Sequence, residues 1–170
     1  MQLKLLEAFE LPELYKILLE DDIAYKLCAN PTLITENNLG EFLLQTDRNT
    51  DSVAYCIYDG NGIISGVVTL NNINYLKSSA FLGIIAVAPN TSGTLGLKAA
   101  RWAIDHCFNT LNLNRVYGHS WADNVQMDAL YKLMGATHEG TEREHMYKQG
   151  KFVDMKVWSI LKREWKWHTD

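Results

Sequence analysis

Two junctions between an expected strand and an expected helix carry the residues whose types and spacing could do chemistry. The first is the small-residue loop 92–97, where unpaired backbone N–H groups would meet the positive end of a helix dipole. Such a point suits a phosphate group. The loop lacks the Lys-Ser/Thr ending of a Walker loop and the full dinucleotide fingerprint. It therefore indicates either an anion cradle or an ordinary turn with Ser92 or Thr94 as the helix N-cap.

The second junction follows the expected strand that ends near Trp121. A nucleophile elbow reads Gly-x-Ser-x-Gly, and residues 118–122 match it except at Ala122, where the final glycine is missing. This pattern keeps a serine hydrolase using Ser120 as an alternative. Asn124 comes next, at a position where it could cap a helix, and Tyr131 lies seven residues later on that helix's apolar face.

Side chains that could bind a metal or form a disulfide lack the spacing that those roles need. No metal is expected, because no recognised ligand spacing is formed by His119, Asp123, His138 and His145. The three cysteines are odd in number and far apart, so neither a disulfide framework nor a zinc knuckle is predicted. Free thiols indicate a reduced compartment, and we expect a cytoplasmic protein.

Composition sets the broad class. The chain has 170 residues, 47% hydrophobic and 21% charged, with a formal net charge of −4. No linker or repeat interrupts it, so one domain over residues 1–170 is expected. Scattered and outnumbered Lys and Arg argue against a nucleic-acid partner. No apolar stretch reaches about 18 residues, and we expect neither a signal peptide nor a membrane span.

The hydrophobic pattern predicts the elements that position these residues. Their order is strand, two helices, three strands, helix, strand, helix and two strands, which is typical of a mixed α+β sheet. Expected strands cover about 3–9, 53–57, 63–70, 80–88 and 115–121, with a terminal hairpin at 137–147 and 152–161. A first helix is expected from near Pro12, with Ala24 and Leu27 among its apolar residues. Further helices are expected over 36–45, from the loop 92–97 as far as Leu111, and over 124–134. The apolar run 80–88 predicts a central strand buried on both faces.

These motifs, in this order, resemble the Gcn5-related N-acetyltransferase family. The resemblance is carried by residues 85–89, by Gly93 with the amphipathic helix after it, and by Asn124 followed by Leu130, Tyr131 and Gly135. The C-terminal part of the sequence resembles the family's ribosomal-protein N-acetyltransferase branch, at Glu139-Gly140, Arg143, residues 150–154 and Glu164-Trp165. The resemblance covers about residues 60–165. It implies a mainly antiparallel sheet of six to seven strands, with helices on both faces and a V-shaped splay between two parallel central strands.

The resemblance also implies transfer of the acetyl group of acetyl-CoA to a primary amine, by direct attack in a ternary complex. Backbone groups of Ile85, Ala86 and Val87 would bind the pantetheine arm, beside Asn124. The pyrophosphate would lie against Ser92, Gly93, Thr94, Leu95, Gly96 and Leu97. This loop departs from the family's Gln/Arg-x-x-Gly-x-Gly/Ala pattern. The departure keeps a non-catalytic acyl-CoA or protein-binding module on the same fold as an alternative.

Amine acetylation needs a base for the ammonium proton and an acid for the departing thiolate. The resemblance assigns Tyr131 as the acid, near the thioester sulfur. Five residues before Asn124, where family members often carry a glutamate base, this chain has His119, which titrates near neutral pH. Phe81 stands where another family glutamate often occurs. Reserve bases on the terminal hairpin are Glu142, Glu144 and His145.

The acceptor remains open between a small-molecule and a peptide amine. Candidates are a protein N-terminus, an amino-sugar nucleotide, a polyamine and an aminoglycoside. Five Trp and eight Tyr are many for this length, and some could line the acceptor pocket or a homodimer interface.

Overall fold

The computed structural model describes residues 1–20, 23, 35–48, 51–89, 91, 94–148 and 150–166. Its strands are β1 (Gln2–Leu5), β2 (Val53–Tyr58), β3 (Ile64–Asn74), β4 (Ser79–Val87), β5 (Arg115–Trp121), β6 (Thr137–Lys148) and β7 (Lys151–Leu161). Its α-helices are α1 (Leu11–Leu18), α2 (Glu36–Arg48), α3 (Leu95–Asp105) and α4 (Val125–Leu133). Over the residues that the structure describes, the elements follow the predicted order. No helix in the described ranges is long and apolar enough to cross a membrane.

The seven strands form one sheet in the order β1-β2-β3-β4-β5-β7-β6. Every neighbouring pair is antiparallel except β4 and β5, which are parallel. These two pair only where Ser79, Ala80 and Phe81 lie opposite Arg115, Val116 and Tyr117. Beyond these three rows the strands separate, although both continue. The predicted V-shaped splay between two parallel central strands is therefore confirmed.

Helices cover both faces of the sheet, as predicted. One hydrophobic cluster packs α3 and α4 on one face and includes Ile104, Phe108, Tyr131 and Trp158. The other packs α1 and α2 on the opposite face and includes Leu14, Leu18, Leu43, Cys56 and Ala86. Full burial of one such large apolar side chain stabilises the fold by roughly 1.5–3 kcal/mol. The two layers hold the sheet rigidly around the splay.

A bulge in β4 lies just past its last contact with β5. Val68 pairs with Ile85 and Leu70 with Leu82, so β4 has one extra residue between these rows. The Ile84 N–H donates to the Thr69 hydroxyl at 2.9 Å, and a Cβ built on Gly83 would overlap the side chains that fill the bulge. Because a bulge bends and twists its strand, this one contributes to the separation of β4 from β5.

Three sequence predictions need correction. The first strand, predicted over 3–9, ends at Leu5. The chain then bends into a 3-10 turn, because the buried Glu10 carboxylate accepts hydrogen bonds from the Glu7 N–H at 2.6 Å and from the Tyr58 hydroxyl. The helix that follows the loop changes to π-helix at His106–Thr110. Residues Ile85 and Val87 of β4 are half-buried rather than buried, since the sheet opens beside them. Ala24 and Leu27, expected on the first helix, lie outside the described residues.

Candidate functional site

The ring of Tyr131 lies at the base of the splay, where α4 presses it against β5. The residue is 3% exposed. A Cβ built on Gly118 would overlap the Tyr131 hydroxyl oxygen and would lie 3.1 Å from the Leu82 carbonyl oxygen. Leu82 is the first residue of β4 beyond the rows paired with β5. The phenol hydroxyl is thus at the point where the two strands begin to separate, next to a position that only glycine fits.

Asn124 fixes the residue at which α4 begins. It is the helix N-cap, and its side-chain oxygen accepts a hydrogen bond from the Met127 N–H at 3.1 Å. Gly135, with φ of 78°, follows the last turn, where the sequence predicts it. Fixing the start of the helix fixes the side that Tyr131, two turns later, presents to the sheet. The capping interpretation of Asn124 is therefore confirmed, and contact with a pantetheine arm stays a prediction.

His119 lies on the other face of the sheet. Gly118 faces Tyr131, and strand alternation turns the next side chain away from α4. The half-buried imidazole makes edge contacts with Phe81 at 5.2 Å and with His145 at 6.2 Å between ring centroids. Burial lowers the pKa of His119, an effect that the Glu142 carboxylate opposes. The ring is therefore neutral at neutral pH and able to accept a proton.

The three reserve bases on the terminal hairpin differ in position. The register of β6 against β7 shifts between Glu142 and Met146, and within this irregularity His145 Nδ1 lies 3.1 Å from the Glu142 carboxylate. His145 and Glu142 thus lie beside His119. Glu144 has a left-handed φ of 48°, its side chain is exposed, and its N–H donates to Asp154 at 2.8 Å. His145 and Glu142 therefore lie toward the splay, whereas the backbone of Glu144 forms the irregularity in β6.

The open edge of β4 could bind an extended ligand. On one side Ile85, Ala86 and Val87 pair with β3, and on the other side β5 has already separated from them. Backbone groups on that side can bond to an amide-containing arm as a neighbouring strand would. This arrangement fits the pantetheine arm of acetyl-CoA.

The first turn of α3 lies at the end of this edge. A Cβ on Gly96 would be 3.7 Å from Val87. The Lys98 N–H donates to the Thr94 carbonyl at 2.9 Å, so the N–H groups of Leu95, Gly96 and Leu97 precede the helical ladder and can bind an anion. Ser92 and Gly93, which belong to the same predicted site, lie outside the described residues.

The structure contradicts a serine hydrolase that uses Ser120. Its hydroxyl is buried, donates to Asp128 Oδ1 at 2.9 Å and accepts from Trp158 Nε1 at 3.0 Å. The neighbouring imidazole, His119, faces the opposite side of the sheet. Asp128 and Trp158 are not predicted from the sequence, although an acidic residue one turn before Tyr131 on an apolar helix face is a usable signal.

In the described ranges, two cysteines are buried and the potential metal ligands are not grouped. Cys56 and Cys107 are buried free thiols, and burial raises the pKa of each to about 12. Both are therefore protonated and inert as nucleophiles at neutral pH. Among the residues that the structure describes, no three His, Cys, Asp or Glu side chains are grouped so as to hold a metal ion.

The amino-acid sequence is similar to named acetyltransferases over about two thirds of the chain. No family model matches it. Over 109 residues, 64% of the chain, it is 29% identical to the "Putative ribosomal N-acetyltransferase YdaF" of Bacillus subtilis. Over 112 residues, 65% of the chain, it is 30% identical to the spermidine N(1)-acetyltransferase of Vibrio cholerae. The matches span 58% and 64% of these relatives, less than two thirds of their lengths.

The similarity of the fold extends over nearly the whole chain. The spermidine N-acetyltransferase from Vibrio cholerae, solved in complex with CoA and spermine, superposes with a TM-score of 0.85 over 96% of both chains at 25% identity. A chimera of that enzyme superposes with a TM-score of 0.83 over 95% of both chains at 26% identity. The chain therefore has the fold of these acetyltransferases, including a sheet that opens between two parallel strands. In sequence and in fold the chain is similar to N-acetyltransferases of the Gcn5-related kind.

Proposed function

We propose that this protein is an N-acetyltransferase that moves the acetyl group of acetyl-CoA to a primary amine. The observation that carries the proposal is the separation of β4 from β5 beyond three paired rows, with the Tyr131 hydroxyl at its base. Acetyl-CoA would enter this splay as a substrate. Its pantetheine arm would bond to the open edge of β4, and its pyrophosphate would lie at the first turn of α3, with Ser92 and Gly93 completing that site.

The two faces of β5 supply the acid and the base. His119 would remove a proton from the ammonium form of the acceptor, because only the neutral amine has a lone pair to attack the thioester. The amine nitrogen then forms a bond to the carbonyl carbon, the carbon–sulfur bond breaks, and the nitrogen loses its second proton to solvent as the amide forms. Tyr131 would donate its proton to the departing thiolate and regain one from solvent. The inert thiols of Cys56 and Cys107 support this direct attack over a covalent enzyme intermediate.

The acceptor is a small-molecule or peptide amine. The named relatives point to both classes, since one acts on spermidine and the other is named as a ribosomal N-acetyltransferase. The half-buried aromatic rings of Phe81 and Tyr117, 5.3 Å apart beside His119, would flank the attacking nitrogen. A neutral amine is favoured against such apolar surroundings, which supports the assignment of the base to this face.

Thiol release measured with a panel of amines tests the proposal. The panel contains spermidine, peptides with free N-termini, an amino-sugar nucleotide and an aminoglycoside, each with acetyl-CoA and with an amine-free control. We expect thiol release that depends on one class of amine. Tight acetyl-CoA binding with no transfer to any amine would instead support the alternative of a non-catalytic binding module. No binding and no transfer would reject both.

We further propose a cytoplasmic location, one domain over residues 1–170, and a homodimer. The free thiols of Cys56 and Cys107 support a reduced compartment, and the two hydrophobic clusters share one sheet, which supports a single domain. Tyr147 and Phe152, each 61% exposed and 5.4 Å apart at the tip of the β6–β7 hairpin, are the surface that supports a dimer. Light scattering of the wild type and of Phe152→Ser measures the oligomeric state.

A further inference from the structure

A chain of buried polar side chains lies directly beneath Tyr131. The Trp158 indole N–H donates to the Ser120 hydroxyl at 3.0 Å, and that hydroxyl donates to Asp128 Oδ1 at 2.9 Å. The second carboxylate oxygen of Asp128 accepts a hydrogen bond from Lys156 Nζ. The same ammonium donates to the Ala122 carbonyl at 2.9 Å. Each of these four side chains therefore has a hydrogen-bond partner.

This network connects the three elements that surround the acid. Ser120 belongs to β5, Asp128 to the first turn of α4, and Trp158 and Lys156 to β7. Ser120 is 1% exposed, Trp158 4% and Asp128 9%. Burying a carboxylate and a hydroxyl costs free energy, which hydrogen bonds offset only when they are complete and well aligned. A network of this kind holds its elements in one relative position, because displacing any element would leave a buried polar group without its bond.

Trp158 transmits that constraint to Tyr131. The two rings are stacked, with 5.5 Å between centroids and 10° between planes. On its other side the phenol contacts Gly118, which leaves no room for a Cβ. The Tyr131 ring is thus held between the indole and the β5 backbone. The hydrogen bond from the indole N–H to Ser120 fixes the plane against which the phenol stacks.

We propose that Trp158, Ser120 and Asp128 are positioning residues that hold the Tyr131 hydroxyl at the base of the splay. The inference rests on the proposed function, in which Tyr131 protonates the thiolate. It assigns to Ser120 a role that differs from the nucleophile suggested by its sequence context. Removing the Ser120 hydroxyl frees the indole to rotate and moves the phenol away from its position.

A double-mutant cycle between Ser120→Ala and Tyr131→Phe tests the proposal. We expect Ser120→Ala to lower kcat roughly 10- to 100-fold, the loss typical of a catalytic group misplaced by about 1 Å, with KM and acetyl-CoA affinity unchanged. In the Tyr131→Phe background the same change should have no further effect, because the group that it positions is already gone. The matched control is Ser159→Ala, since Ser159 is also buried but donates to Glu139 at 2.7 Å on the other face.

Several outcomes would overturn the proposal. These are an unchanged kcat in Ser120→Ala, an equal loss in Ser159→Ala, or a full Ser120→Ala effect in the Tyr131→Phe background. If Ser120→Ala does not fold, Trp158→Phe, which keeps a stacked ring but has no N–H, takes its place in the cycle. Absence of transfer by the wild type with every amine would reject the proposed function, and this inference with it. Transfer by the wild type with an additive cycle would reject only the positioning role.

Discussion

At the scale of single residues, the proposed function depends on two side chains that reach the splay from opposite faces of β5. Tyr131 approaches from the α4 face against Gly118, and His119 lies on the other face beside Phe81. Because the amine must lose a proton on one side of the thioester and the thiolate must gain one on the other, this division suits acyl transfer. Each side chain can be tested separately.

Tyr131→Phe keeps the aromatic ring and its stacking on Trp158 and removes only the hydroxyl. We expect turnover to fall on the order of 10²-fold, the contribution typical of a general acid, while the midpoint of thermal unfolding changes little. Thiol release and circular dichroism measure the two quantities. Tyr147→Phe, at an exposed tyrosine, is the matched control. Wild-type turnover in Tyr131→Phe would leave Tyr131 as a packing residue only.

His119→Gln keeps a polar side chain of similar size and removes the titratable group. Because the neutral imidazole is the proposed base, the wild-type rate should rise with pH through an apparent pKa below the ordinary value of 6.5, in the direction that burial shifts it. The variant should lose this rise and keep its acetyl-CoA affinity. His138→Gln, on the exposed part of β6, is the control. An unaltered profile would move the base to His145 or Glu142.

At the scale of secondary-structure elements, the start of α3 is the proposed pyrophosphate site. Gly96→Asp places a carboxylate in the first turn, where it favours the helix but repels a bound anion. We expect the protein to stay folded and acetyl-CoA to bind roughly 10- to 100-fold more weakly, as measured by calorimetry.

Two variants control for size and charge in that experiment. Gly96→Ala adds a Cβ at an ordinary contact distance of 3.7 Å from Val87 and should bind normally. Gly60→Asp makes the same change of charge in an open turn where an added Cβ has no neighbour within 4 Å. Unchanged affinity in Gly96→Asp, or an equal loss in Gly60→Asp, would show that the pyrophosphate lies elsewhere.

The amino-acid sequence predicts the elements better than their mutual contacts. β5 begins and ends at the predicted residues, since its alternation and the flanking turns are local signals. Asn124 and Tyr131 could be placed because both lie on one helix with a fixed repeat. Two hydrogen bonds could not be predicted, because they depend on the register between β5 and β7. They join Trp158 to Ser120 and Lys156 to Asp128. The approach of His145 to His119 likewise depends on an irregularity in β6.

At the scale of the whole molecule, half-buried histidines make stability depend on pH. His106 stacks on Trp102 at 5.0 Å and hydrogen-bonds the Tyr55 hydroxyl at 3.1 Å, and burial lowers its pKa. The folded protein therefore binds a proton less readily than the unfolded chain. The contribution of His106 to the free energy of unfolding should be constant above the unfolded pKa near 6.5 and should fall as pH decreases below it.

Urea unfolding at about pH 7.5 and about pH 5.5 measures this dependence. His106→Gln cannot take up the proton, so its loss of stability between the two conditions should be smaller than that of the wild type. His119 contributes in the same direction. The His119→Gln, His106→Gln double variant should therefore lose still less stability between the two pH values. An identical slope in His106→Gln and the wild type would contradict the assignment.

Because β4 and β5 pair over only three rows, the sheet has a gap between these two strands. Amide protons of residues 82–87 that face the gap have no partner strand, so they should exchange with deuterium faster than those between β5 and β7, whose seven rows are continuous. A ligand arm bonded along β4 would take the place of the absent strand. Saturating CoA should therefore slow exchange in this segment far more than elsewhere and raise the melting temperature through binding linkage. Uniform slowing across the sheet would show that the ligand does not complete it.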